Sequence, residues 1–243
     1  MYAAGLRRLL PRLIVRPGPA ILDVGCGTGV NLTEAARWFA PTRLLAGIDL
    51  SPGMVEVARS KAAYLGMPAE FTVGDAEQLP YSDQLFDLVI CNSVFHWFKD
   101  KETALSEMRR VLRPGGQLVL ICASAPGFRE WFGVLDSLMR SVLGPGTPRS
   151  APDLPSAAEV GGLLRQSGFV ISYMANPTSV YRVPHPESFI RLMSTVAPGW
   201  TADLPPESQS YIETMAAAYL RRNWPQGFPN TWSVFEAIGV RPD

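Results

Sequence analysis

Apolar and polar positions alternate in blocks along this chain, and the blocks predict most of its elements. Short, almost uninterrupted apolar runs at "AILDV" (20–24), "RLLAGID" (43–49), "EFTVGD" (70–75), "FDLVIC" (86–91) and "QLVLIC" (117–122) predict strands. Runs without a polar face belong to parallel strands covered by helices on both sides. Between them, apolar residues recur every three or four positions, the helical period. "SPGMVEVARSKAAYLG" (51–66) carries its own boundaries, with Ser51 to cap, Pro52 at the first helical position and Gly66 to stop. "ETALSEMRRVLRPGG" (102–116) spaces Leu105, Met108, Val111 and Leu112 helically and breaks at Pro114, Gly115 and Gly116, which predicts helix, turn and strand.

The flanks extend this β-α-β core. Leu6, Leu9, Leu10 and Leu13 define an amphipathic N-terminal helix, preferred over a targeting segment because Arg12 interrupts the apolar stretch. Beyond Cys122 the chain turns rich in Pro and Gly and predicts one short helix. "SAAE" (156–159) is a capping box opening a helix that ends at Gly168. A strand at 169–174, helices near 186–196 and 207–222, and a closing strand at 231–240 follow. The expectation is a single domain over 1–243, with 1–19 as N-terminal helix or lid, 20–124 as core, and 125–155 and 184–228 as substrate cover.

Composition narrows the partners. Lys+Arg 22 against Asp+Glu 22 leaves a formal net charge of zero, which argues against nucleic acid and anionic membrane surfaces. No apolar run is long enough to span a bilayer. Cys26, Cys91 and Cys122 lack C-x-x-C spacing, so a reducing cytoplasm, no disulfide and no metal are expected. Oligomeric state stays open between monomer and homodimer.

The chemistry concentrates at strand ends. "ILDVGCGTG" (21–29) is a strand, an acid and three alternate glycines opening a helix, a turn that lets a ligand approach backbone amides. The dinucleotide fingerprint needs Gly or Ala at position 30, where this chain has Val30. Asp23 favours a ligand bearing an ammonium group over a pyrophosphate. "GIDLS" places Asp49 some twenty residues past the glycines, where a carboxylate holds ribose hydroxyls. "VGDAEQLP" places Asp75 and Ala76 where a side chain and a backbone N–H can read an adenine edge.

"LDVGCGTG", "GIDLS", "GDAEQLP", "FDLVICNSVFHW" and "VLRPGGQLVL", in this order, resemble the successive motifs of class I S-adenosylmethionine-dependent methyltransferases. The likeness is to the group that includes malonyl-carrier-protein, trans-aconitate and quinone-biosynthesis enzymes. The resemblance implies a Rossmann-like α/β fold with a seven-stranded, mostly parallel sheet, its last strand antiparallel. It implies S-adenosyl-L-methionine as cofactor, with Asp23, Gly25, Cys26, Gly27, Gly29 and Asn92 around the methionine part. Asp49 and Leu50 then fall at the ribose, and Asp75 and Ala76 at the adenine. The acceptor is expected to be a small molecule, free or carrier-linked, with O-methylation of a carboxylate or hydroxyl ahead of C- or N-methylation of a natural-product or quinone-like acceptor. A catalytically silent, cofactor-binding partner subunit is the alternative.

His96, one of two histidines, follows the fourth strand between Phe95 and Trp97. It is read as a general base, a hydrogen-bonding substrate clamp or a packed residue, and Phe95, His96 and Trp97 are the candidate substrate contacts. A carboxylate acceptor needs no base and calls for an Arg clamp, for which Arg182, with Arg129 and Arg149, is the candidate. Trp131, Phe132, Trp200, Trp224 and Phe228 are candidates for an apolar substrate cavity.

Overall fold

The five apolar runs become five parallel strands: β1 (Ala20–Val24), β2 (Leu44–Asp49), β3 (Glu70–Val73), β4 (Phe86–Asn92) and β5 (Leu112–Ala123). They are seen in a computed structural model that describes residues 2–144, 146, 154–196 and 205–243. Helices α1 (Tyr2–Leu9), α2 (Val30–Phe39), α3 (Pro52–Tyr64) and α4 (Lys101–Val111) precede or join them. α5 (Arg129–Leu143), α6 (Ala157–Gln166), β6 (Val170–Ala175), β7 (Thr178–Val183), α7 (Pro186–Val196), α8 (Pro206–Asn223) and β8 (Phe228–Val240) follow. The caps act as their residues dictate: Ser51 accepts from the Met54 N–H, and Ser156 and Glu159 form the reciprocal capping box of α6.

The chain divides into two compact units. The first comprises Met1–Ser124, Pro155–Asn176 and Val234–Asp243 and holds the strand order β3-β2-β1-β4-β5-β8-β6. β8 runs antiparallel to both β5 and β6, so the expected antiparallel last strand is present. Alternation along the strands sorts its core. Leu22, Val24, Val89, Cys91, Leu118 and Leu120 pack with Leu105 and Met108 of α4 and Leu164 of α6. Asp23, Leu88, Ile90 and Asn92 therefore point to the opposite face, which α2 covers. α1 belongs to this unit, with Leu6 and Leu9 fully buried and Arg7 bonded through two nitrogens to Glu34 of α2.

The second unit comprises Ala125–Leu154 and Pro177–Ser233. α5 and α8 pack together, as do α7 and α8. A chain of ring contacts, Trp131 to Phe189 to Phe228 to Trp224, runs through this unit, so these aromatic residues pack on one another.

Three details depart from the pattern reading. β7 is an additional strand, paired antiparallel with the first half of β8. The break at Pro114, Gly115 and Gly116 is no turn: β5 starts at Leu112 directly after α4. The stretch is a bulge tied to the end of the chain: Gly115, at φ +70°, donates its N–H to Arg241 O and Arg241 N–H donates to Gly116 O, while a register shift against β4 absorbs the extra residues. The helix expected to be short, α5, runs for 15 residues. No helix among the described residues is long and apolar enough to cross a membrane.

Candidate functional site

The carboxyl ends of β1, β2, β3 and β4 lie side by side, which brings the candidate residues of the first unit to one sheet edge. Asp23, fully buried, is the central oddity: neither carboxylate oxygen has a hydrogen-bond partner among the described residues. Burial pushes its pKa up to about 8, and the Asp49 charge adds to this. The Leu32 backbone N–H, close enough to oppose the shift, falls outside hydrogen-bond geometry.

The glycine turn wraps around this group. Gly25 N–H and Cys26 N–H both donate to Ile48 O, at 2.8 and 3.0 Å, tying the turn to the end of β2. Gly25 has φ +68°, and a Cβ there would lie 2.5 Å from the Val94 side chain, so only glycine fits. Gly27, at φ +51°, has no atom within 4 Å of the position of a Cβ, so its backbone faces open space. Gly29 closes the turn, its N–H on Cys26 O, and caps α2. The Cys26 thiol, buried beside Asp23 and Asp49, is pushed well up and stays protonated.

Asp49 ends β2 with both oxygens engaged: Oδ2 accepts from Gly27 N–H at 2.8 Å and Oδ1 from Ser51 N–H at 2.9 Å. Each oxygen keeps a further lone pair for a ligand hydroxyl. The next side chain, Leu50, is 71% exposed, an apolar surface beside that carboxylate. Asp75, exposed beyond β3, accepts from Glu77 N–H at 3.0 Å through Oδ1, which orders the turn around the buried Ala76.

At the end of β4, Asn92 is buried and donates from Nδ2 to Asn31 Oδ1 at 2.9 Å, while Ser93 Oγ donates to Asn92 Oδ1 at 2.9 Å. Ser93 takes φ +64°, the left-handed region that a non-glycine residue rarely occupies. The turn 95–97 then presents three different environments. Phe95 is fully buried in the core cluster on the α4 face, so it is packed rather than open to a ligand. Trp97 is 39% exposed. His96 is partly buried with Nδ1 enclosed and unpartnered among the described residues, and burial, together with the Lys101 charge, brings its pKa down to about 4.

Arg182 belongs to the second unit, on β7, where its exposed guanidinium donates to Gly227 O at 3.2 Å, a tie between backbone segments. Arg129, also there, pairs with its neighbour Glu130 at 2.9 Å. Arg149 and Trp200 lie outside the described residues.

Residues 22–120 match the family model described as a methyltransferase domain. Over 99% of this chain and 92% of the relative, the sequence is 30% identical to a malonyl-[acyl-carrier protein] O-methyltransferase of Geobacter sulfurreducens. The chain belongs to the S-adenosylmethionine-dependent methyltransferases. A demethylmenaquinone methyltransferase of Deinococcus radiodurans is 36% identical over 71% of this chain and 65% of that protein. Among solved structures, a methyltransferase-like protein of Bacillus halodurans superposes with a TM-score of 0.70 at 20% identity, covering 98% of this chain and 99% of that one, which shows the shared fold.

S-adenosylmethionine is the cofactor of this methyltransferase, and the residues present suit it. Asp23 offers two unpartnered acceptors to an ammonium group, Gly27 leaves room at the backbone, and Asp49 stands ready for hydroxyls. Two residues at this edge escaped the sequence reading. Val94 is an ordinary apolar residue until its contact with Gly25 is seen. Asn31 carried a signal that was passed over: a polar side chain at a position of α2 that the helical period turns inward, while Val30 faces out.

Proposed function

We propose that this methyltransferase transfers a methyl group to an oxygen of a small-molecule acceptor, and that the oxygen is a carboxylate. The observation that carries this reading is the state of His96. With a pKa near 4, its imidazole stays neutral at ordinary pH and is a weak base, poorly matched to taking a proton from a hydroxyl. A carboxylate arrives ionised, so no proton need move. His96 then serves as a hydrogen-bonding clamp through a neutral imidazole, and exposed Trp97 supplies an apolar wall that excludes water.

When bound, S-adenosylmethionine supplies a methyl group on a positively charged sulfur, already activated for in-line displacement. What remains for the chain is alignment: Asp23 and Asn92 hold the amino-acid end, Asp49 the ribose, and Asp75 with Ala76 the adenine. The variable segments 125–155 and 184–228 select the acceptor in this reading, and the protein works in the cytoplasm. The relative matched over nearly its whole length is named for O-methylation of a carrier-bound malonyl group, which supports a carboxylate, free or carrier-linked. C-methylation of a quinone-like phenol is the second reading, favoured by the demethylmenaquinone relative.

Methyl uptake from labelled cofactor, measured over a panel of carboxylic acids and phenols from pH 6 to 8, separates them. The expected outcome is turnover with a carboxylate, with kcat flat in that range because the acceptor is already ionised and His96 stays neutral. Turnover only with phenols, rising with pH, overturns the carboxylate reading, and cofactor binding without turnover on any acceptor points to the silent partner subunit.

A further inference from the structure

Lys101 stands where a helix least welcomes a cation. It is the first residue of α4, beside the N–H groups whose partial positive charge opposes its own, so a lysine here calls for a reason beyond helix formation. The neighbouring acids are spent elsewhere. Asp100 caps the helix, Oδ1 accepting from Thr103 N–H at 2.9 Å and Oδ2 from Thr103 Oγ1 at 2.7 Å, while Glu77 Oε1 accepts from Asp100 N–H at 2.9 Å. Lys101 pairs with no carboxylate among the described residues. Its side chain is partly buried and donates to one described acceptor, Phe98 O at 2.9 Å, which leaves two of the three ammonium N–H groups free.

The place of this charge gives it a use. After burial, the influence felt by both the His96 imidazole and the Cys122 thiol is the Lys101 charge, which puts the ammonium near the carboxyl ends of β4 and β5. The turn after β4 thus gathers a cation with spare donors, an imidazole whose Nδ1 is enclosed and unpartnered, and the exposed indole of Trp97. Such a set suits a carboxylate joined to an apolar body. The arginines first considered for that charge have other work: Arg182 donates to Gly227 O and Arg129 pairs with Glu130.

We infer that Lys101 binds the carboxylate of the methyl acceptor, holding one oxygen while the other receives the methyl group. This rests on the carboxylate reading proposed above and supplies the countercharge for it. In the step, a lone pair of the free oxygen forms the O–CH3 bond as the S–CH3 bond breaks, whose electrons pass to sulfur; no proton moves. The acceptor arrives negatively charged and departs as a neutral ester, so the ion pair with Lys101 weakens as the reaction proceeds and the product is released. Loss of Lys101 is therefore felt in KM, with kcat equal or higher.

The test measures methyl uptake from labelled cofactor by the full chain over the panel of carboxylic acids and phenols, with hexanoate, malonate and benzoate among the acids. Wild type is compared with Lys101→Met, which keeps the length of the side chain without its charge, and with Lys101→Arg. Lys101→Met is expected to raise KM for the methylated acid about 10- to 100-fold, the size of a hydrogen bond to a charged group, without lowering kcat. Lys101→Arg should restore most of that loss. Both variants should bind S-adenosylhomocysteine as the wild type does in calorimetric titration, which also shows that they are folded. An unchanged KM in Lys101→Met, or an equal loss of S-adenosylhomocysteine affinity, overturns the inference and leaves the carboxylate reading standing. Wild-type protein that methylates phenols alone, or nothing in the panel, removes that reading and this inference with it.

Discussion

A carboxyl group buried without a partner makes folding depend on pH, and Asp23 is such a group. Its pKa is raised in the folded protein to about 8, from the ordinary carboxylate range when unfolded. The contribution to stability is therefore complete at pH below the unfolded value, near 4, and is lost as pH rises towards 8. Within that window the wild type should lose up to about 1.4 kcal/mol per pH unit relative to Asp23→Asn, which cannot ionise. Urea unfolding of both proteins at pH 5, 6.5 and 8 measures this, and a constant difference across the three contradicts it. The position of Asp23 was legible before the glycines, because a carboxylate at the end of a buried strand is conspicuous. The inward turn of Asn31 was not, since its amide is paired with Asn92, 61 residues away.

Elements inherit their form from such local choices. The strands and helices of the core were legible because their periods, caps and stops are written within a few residues, as Ser51, Pro52 and Gly66 show for α3. β7 and the early start of β5 were not, because both depend on distant backbone: the first half of β8 for one, Arg241 for the other. The glycine turn is a similar tertiary case. Gly25→Ala should cost about 2–4 kcal/mol, since the new Cβ adds left-handed strain and meets Val94. Adding Val94→Ala should relieve the clash but leave the strain, giving a coupling of about 1 kcal/mol or more in a double-mutant cycle by chemical denaturation. Strictly additive losses would show that the two residues do not meet.

For the whole molecule, the first unit carries the legible chemistry and the second the variable part. The five motifs fall within residues 22–120 or at their border, the span that matches the methyltransferase domain. Beyond Cys122 the sequence offered aromatic and Arg residues without order, and the structure gives several of them structural work: Arg182 ties Gly227, Trp131 and Phe228 pack on Phe189, and Trp224 packs on Phe228. That is why the cofactor can be read from the chain and the acceptor rests on argument from His96. The central claim is that the ends of β1 to β4 form a site for S-adenosylmethionine. It is tested most directly by calorimetric titration of the full chain at pH 7 with S-adenosylhomocysteine, with NADH as control. Saturable one-to-one binding of S-adenosylhomocysteine and none of NADH is expected. Binding of NADH, or of neither compound, would contradict it.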